Sequence, residues 1–193
     1  MSNVKNILLV GVGGQGTILA SKILSQGLLE NGFDVKMSEV HGMAQRGGSV
    51  STQVRFGEKV YSPLIEKGKA DVIVAFEKSE AARWIEYLKK DGHVIVNDYE
   101  IYPIVVSMGK EKYDHTIKEK LTKDVDNITF IDAANEAKEL GNIKAQNVVL
   151  LGAVVETLGL NEIDWNGVIE KLVPAKAVEL NKAAFAKGRE YIK

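Results

Sequence analysis

The sequence predicts an α/β fold with a mixed, mostly parallel sheet, and three observations carry that reading. Short continuous apolar runs, Ile7-Leu8-Leu9-Val10, Val72–Phe76 and Val94-Ile95-Val96, have the look of strands buried on both faces. Segments with an apolar residue every three or four positions lie between them. The stretch Val50–Phe56 alternates, and only the nine residues 41–49 separate it from the strand before it. A parallel neighbour needs a crossover of roughly a dozen residues, so this strand is expected to run antiparallel.

The first run ends at a glycine-rich turn, Gly11-Val12-Gly13-Gly14-Gln15-Gly16. A helix follows from Gln15 to Glu30, with Ala20, Ile23, Leu24, Gly27 and Leu28 on one face, and Asn31-Gly32 stops it. The second strand covers Asp34 to Val40, which makes the opening a βαβ unit. In the next strand Val50, Thr52, Val54 and Phe56 share a face, and the other face is expected to meet solvent or a partner. The α/β rhythm then resumes with the Val72–Phe76 strand, a helix from Lys78 to Lys89, the Asp91-Gly92 turn and the Val94–Asn97 strand. Ile104-Val105-Val106 and Ile128–Ile131 read as two more strands, and Lys110–Lys123 as a solvated helix. The last third is helical: Ala145–Leu158 is one helix, and Pro174 suits the first turn of a final one carrying Ala177, Leu180, Ala184 and Tyr191 as a stripe. There is no repeat, low-complexity tract or Pro/Ser linker, so residues 1–193 are expected to form one domain.

Composition excludes several function classes. The net charge is −1 with Lys and Arg scattered, which predicts no nucleic-acid binding. No apolar run approaches the ~18–20 residues of a membrane helix, and the first residues run straight into a strand with no signal peptide. The expectation is a cytoplasmic protein. The chain has no cysteine, which removes disulfides, thiolate nucleophiles and Cys-ligated zinc or iron–sulfur clusters. The three histidines, His41, His93 and His115, have no metal-ligand spacing, so no metal site is expected.

Two segments carry chemistry. Gly11, Gly13 and Gly16 match a dinucleotide-type G-x-G-x-x-G turn in its strand–turn–helix setting, where glycines let the backbone approach a ligand and the helix start offers free N–H groups to an anion. Gly14 and Gln15 complete this candidate cofactor-binding turn. Glu39 ends the second strand, where a carboxylate can accept a bond from a ribose hydroxyl, and Asn97 ends another strand on the same edge. The plainer reading of the turn is one that packs helix on sheet. The second segment is Ser38-Glu39-Val40-His41-Gly42-Met43-Ala44-Gln45-Arg46-Gly47-Gly48-Ser49. Its density of functional groups makes His41, Gln45 and Arg46 the catalytic-loop candidates: Arg46 to clamp a carboxylate or phosphate, His41 to relay protons near neutral pH. Both can also be structural, as an ion-pair donor and a hydrogen-bonded histidine. Glu77 either caps the helix that follows it or binds a ligand. Asn147, inside an apolar helix, reads as a structural hydrogen-bond donor. A Gly-Asp-Gly…Asn thiamine motif, a Gly-x-Ser-x-Gly elbow and a Walker-A lysine are all absent.

Together these residues resemble the gamma-type subunits of 2-oxoacid:ferredoxin oxidoreductases. The glycine turn, Ala20-Ser21, the 38–48 stretch, Ser62-Pro63-Leu64-Ile65, Gly68-Lys69-Ala70-Asp71, Phe76-Glu77, Glu80-Ala81-Ala82-Arg83, Asn97 and Asn147 carry the likeness over essentially the whole chain. His41-Gly42-Met43-Ala44-Gln45-Arg46-Gly47-Gly48 is its most specific part and favours the indolepyruvate branch. The resemblance implies a Rossmann-like three-layer α/β/α fold. It also implies a hetero-oligomer whose large partner subunit holds thiamine diphosphate, Mg²⁺ and iron–sulfur clusters, with CoA as co-substrate and ferredoxin as electron acceptor. The product would be an aryl-acetyl-CoA. No cofactor would be held firmly by this chain alone. The other reading that the glycine turn allows is a stand-alone nucleotide-binding dehydrogenase or redox-sensor domain, for whose substrate pocket little chain length is left.

Overall fold

The computed structural model describes residues 4–41 and 47–192. Its strands are β1 (Lys5–Val12), β2 (Asp34–His41), β3 (Ser49–Gly57), β4 (Ala70–Ala75), β5 (Leu88–Asn97) and β6 (Ile128–Ile131). They form one sheet in the order β2-β3-β1-β4-β5-β6. The pairs β1–β4, β4–β5 and β5–β6 are parallel, while β3 is antiparallel to both of its neighbours, β1 and β2. The expected βαβ unit is therefore split. β1 and β2 run the same way, but β3 lies between them, because the seven residues between His41 and Ser49 are too few for a crossover.

Helices cover both faces. On one, α1 (Thr17–Glu30), α5 (Ala133–Glu139), α6 (Gln146–Thr157), α7 (Trp165–Leu172) and α8 (Val178–Arg189) pack on Ile7, Leu9, Val54, Phe56, Val72, Val74, Phe76 and Ile95. On the other, α2 (Lys78–Trp84) and α4 (Ile117–Asp124) bring Ala81 and Leu121 against Leu8, Val10, Ile73, Ala75, Val94 and Val96. This is the three-layer α/β/α arrangement. Continuous apolar strands feed both layers because successive side chains point to opposite faces.

The sheet's second face at β3 is not left to solvent. Gln53 and Arg55 on that face hold the following loop: Gln53 Oε1 accepts from the Ile65 amide at 2.6 Å, and Arg55 donates to the carbonyls of Ser62 and Leu64 at 2.9 and 3.1 Å. Ile65 is buried there.

Other expectations are corrected. Ile104–Ser107 is a helical turn, α3, not a strand: the amides of Val106 and Ser107 both return to the Pro103 carbonyl, at 3.0 and 2.9 Å. Its β-branched composition is overruled because β6 already pairs with the outer edge of β5. The solvated helix is confined to Ile117–Asp124, and the one from Lys78 stops at Trp84, where a short 3₁₀ turn leads into β5. α5, started by Asp132 accepting from the Asn135 amide at 3.2 Å, had no apolar period to announce it. The first helix begins at Thr17, because Gln15 belongs to the turn. In α8 the buried stripe is Val178, Asn181, Ala184, Phe185 and Gly188. Pro174 precedes it, capping the 3₁₀ turn Ala175–Ala177.

Helices α6 and α8 cross unusually closely. A Cβ on Gly188 would lie 1.7 Å from the Val149 carbonyl oxygen, and one on Gly152 would lie 2.1 Å from that of Phe185. Two glycines thus let backbones meet where any side chain would hold them apart.

Candidate functional site

A cleft of about 460 Å³ lies at the C-terminal ends of β1 and β2, beside the glycine turn that follows β1. Gly13, Gly14, Gly16, Thr17 and Ile18 form one wall, Glu39, Val40 and His41 another, and Val50, Ser51 and Thr52 the floor. The register explains who meets whom: Glu39 stands opposite Thr52, and His41 opposite Val50. Glu39 and His41 therefore share the face on which α1 begins.

The start of α1 is built for close approach. Gly16, its N-cap, has φ 83° and ψ 22°, in the left-handed region, and no side chain caps the helix. The amides of Leu19 and Ala20 already reach the Gly16 carbonyl, at 3.1 and 3.2 Å. No acidic residue occupies the first turn. Among the described residues no side chain compensates the positive end of the helix dipole, which favours an anion there.

The structure separates the predicted cofactor-binding residues into two groups. Gly13, Gly14, Gly16 and Glu39 line the cleft, with the loop candidate His41. Gly11, Gln15 and Asn97 lie below it. Gln15 is 9% exposed: its Oε1 accepts from the Val12 amide at 2.7 Å and its Nε2 donates to the Phe76 carbonyl at 2.9 Å. Gly11 has no room for a side chain, since a Cβ would sit 2.8 Å from Gln15 Oε1 and 2.9 Å from Phe76 Cβ. Asn97 is fully buried. It donates to the Phe76 carbonyl at 3.2 Å and to Gln146 Oε1 at 3.0 Å, and its Oδ1 accepts from the Ala133 amide at 3.2 Å. These amides clip together the ends of β1, β4, β5 and the start of α5 and α6. Asn147 is the expected structural donor, giving Nδ2 to the Gly16 carbonyl at 3.1 Å and so seating the turn on α6.

Gln45 and Arg46, with residues 42–44, lie outside the described residues. The connection's return is described. The Gly13 amide donates to the Gly48 carbonyl at 2.9 Å, and Ser49 Oγ donates to Glu80 Oε2. Sequence reasoning missed Thr17, Ile18, Val40, Val50, Ser51 and Thr52 as cleft residues; a register for β3 between β1 and β2 would have found the last four.

Glu77 caps α2, accepting from the amides of Ser79 and Glu80 at 3.0 and 2.6 Å. It is 1% exposed, and burial, only partly offset by those two amides, pushes its carboxyl above the ordinary value. Among the described residues no three His, Cys, Asp or Glu side chains are grouped to hold a metal ion, and no helix is long and apolar enough to cross a membrane.

A three-layer α/β unit with a ligand-sized cleft beside a glycine turn defines a ligand-binding α/β domain. Comparison with known proteins gives the family. Residues 6–191 match the model of the pyruvate ferredoxin/flavodoxin oxidoreductase family, and the chain belongs to it. It is 45% identical to indolepyruvate oxidoreductase subunit IorB of Thermococcus kodakarensis, over 95% of this chain and 93% of that one. The corresponding subunit of Pyrococcus horikoshii is 44% identical over the same shares. The crystal structure of pyruvate oxidoreductase subunit PORC from Thermotoga maritima superposes with a TM-score of 0.72 at 26% identity, covering 98% of this chain and 97% of that one. The chain is thus a gamma-type subunit of a multi-subunit 2-oxoacid ferredoxin oxidoreductase, and the stand-alone dehydrogenase reading is not favoured.

Proposed function

We propose that this chain is the smaller subunit of a cytoplasmic indolepyruvate-type ferredoxin oxidoreductase, acting as one domain over residues 1–193. Its larger partner subunit would hold thiamine diphosphate, Mg²⁺ and the iron–sulfur clusters. The complex would decarboxylate an aryl pyruvate, pass the two electrons released to ferredoxin, and transfer the acyl group to the thiol of CoA. The observation that carries this reading is the pairing of 45% identity to an indolepyruvate oxidoreductase subunit with a chain that contains no cysteine. Cysteine-ligated clusters would then be held outside these 193 residues.

In this reading the cleft takes part of CoA. The α1 N-terminus suits phosphate, and Gly13, Gly14 and Gly16 allow the backbone to come close. Ile18 and Val50 offer apolar contact to a ring, and Glu39 an acceptor for a ribose hydroxyl. His41, Gln45 and Arg46 would orient groups where the cleft meets the partner.

Reconstitution tests the proposal. The isolated chain should not oxidise indolepyruvate with ferredoxin or a viologen dye, and activity should appear on anoxic mixing with the large subunit, thiamine diphosphate, Mg²⁺ and CoA. Turnover by the chain alone would refute the subunit reading. In the assembled complex Arg46→Lys should lower kcat/KM tenfold or more, about 1.4 kcal/mol, because an ammonium cannot reproduce a bidentate guanidinium.

A further inference from the structure

The connection between β2 and β3 leaves the sheet at His41 and returns at Ser49, and its return is pinned twice. The Gly48 carbonyl is held by the Gly13 amide at 2.9 Å, which ties it to the glycine turn. One residue on, Ser49 Oγ donates to Glu80 Oε2. Ser49 stands opposite Val12 in the β1–β3 ladder and immediately precedes Val50, Ser51 and Thr52, which floor the cleft.

Glu80 is an odd residue for its place. It lies in α2 and is 3% exposed, among side chains that cover the sheet. Burying a carboxylate costs free energy unless its oxygens are satisfied, and an apolar residue would pack there at no such cost. Glu80 has its oxygens satisfied by donors converging from its own helix and from β3: Arg83 Nε reaches Oε1 at 2.9 Å, while Trp84 Nε1 at 3.2 Å and the Ser49 hydroxyl share Oε2. Two of those donors hold the carboxylate still. The third is the only one outside the helix, and it belongs to the strand end beside the cleft.

We infer that Glu80 is a positioning residue which, through Ser49, holds the returning end of the 41–49 connection against the glycine turn and so sets the shape of the cleft for CoA. The inference rests on the reading of the cleft as the CoA site. Glu80 itself does not line the cleft.

Two readouts on Ser49→Ala and Glu80→Gln test it. In the free chain, exchange of the Gly13 amide with solvent should speed up at least tenfold in both variants, beyond any change in amides of the β4–β5 ladder. In the reconstituted complex, KM for CoA should rise at least fivefold, with kcat at saturating CoA and KM for the oxoacid within twofold of wild type. Ser49→Thr, which keeps the hydroxyl, should restore both. Ile18→Glu, an exposed cleft-wall change in the first turn of α1 that places a negative charge beside an anionic ligand, tests the cleft reading separately. Unchanged Gly13 exchange in folded Ser49→Ala overturns the inference. So does faster exchange with an unchanged KM for CoA when Ile18→Glu does raise that KM. If Ile18→Glu leaves KM for CoA unchanged, the cleft reading fails and the inference falls with it.

Discussion

Gln15 and Asn97 donate to one oxygen, the main-chain carbonyl of Phe76, at 2.9 and 3.2 Å. Gln15 sits in the glycine turn after β1 and Asn97 at the end of β5, so the end of β4 is gripped from both sides. Both residues stand at the sheet edge where ligands bind in α/β proteins, yet both side chains point into the protein.

Replacing either should cost stability. Gln15→Ala orphans the Val12 amide, and Asn97→Ala orphans that of Ala133, so each should lose about 1–3 kcal/mol in urea unfolding of the free chain. The double variant should lose more than the sum. Either single change leaves the Phe76 carbonyl one donor, while the pair leaves it none. Strict additivity would show that the shared acceptor is satisfied some other way.

Two glycines of the same turn should respond differently to alanine. Gly14 has φ 105° and no atom within 4 Å of a built Cβ, so Gly14→Ala should lose only the backbone term, about 1–2 kcal/mol. Gly16 has φ 83°, and a Cβ would also lie 2.5 Å from Asn147 Nδ2, the group that holds its own carbonyl. Gly16→Ala should therefore cost at least 1 kcal/mol more, as read by chemical denaturation. Equal losses would mean that Asn147 swings aside freely.

The crossing of α6 and α8 makes a sharper case. Gly188→Ala drives a methyl group onto a main-chain oxygen of the neighbouring helix, which no rotamer change relieves. A loss of about 3 kcal/mol or more is expected, at the upper end for overpacking. A thermal midpoint within a degree or two of wild type would contradict the close crossing.

Glu77 should make stability depend on pH in a particular direction. Burial raises its folded pKa above the ordinary 4.5. The folded state then holds the proton more tightly than the unfolded one. The group's contribution is most favourable below 4.5 and declines as pH rises from there through the raised folded value. Glu77→Gln has no such charge to bury. Its stability relative to wild type should therefore improve from about pH 4.5 towards neutrality, while Glu77→Ala, which also abandons the helix cap, should lose about 1 kcal/mol. A wild-type-minus-Gln difference that is flat across that range would remove the argument.

Much of this was legible in the chain itself. Apolar runs located β1, β4 and the Val94–Asn97 half of β5, since a strand covered on both faces needs no polar positions. The short 41–49 connection forced β3 antiparallel, because chain length alone forbids the crossover. The glycine turn and the polar 38–49 stretch pointed to one corner of the sheet, and Gly13, Gly14, Gly16, Glu39 and His41 line a cleft there. Only the tertiary structure decided the rest. Ile104–Val106 has strand composition but becomes a helical turn, because the sheet edge it would have joined is taken by β6. Gln15 and Asn97 have the right types and places for ligand binding, but their partners lie 61 and 21 residues away in the chain. Periodicity and turn chemistry are local properties, written in neighbouring residues. Which polar group is consumed inside the protein and which remains free for a ligand depends on distances across the fold, and those exist only once the chain is packed.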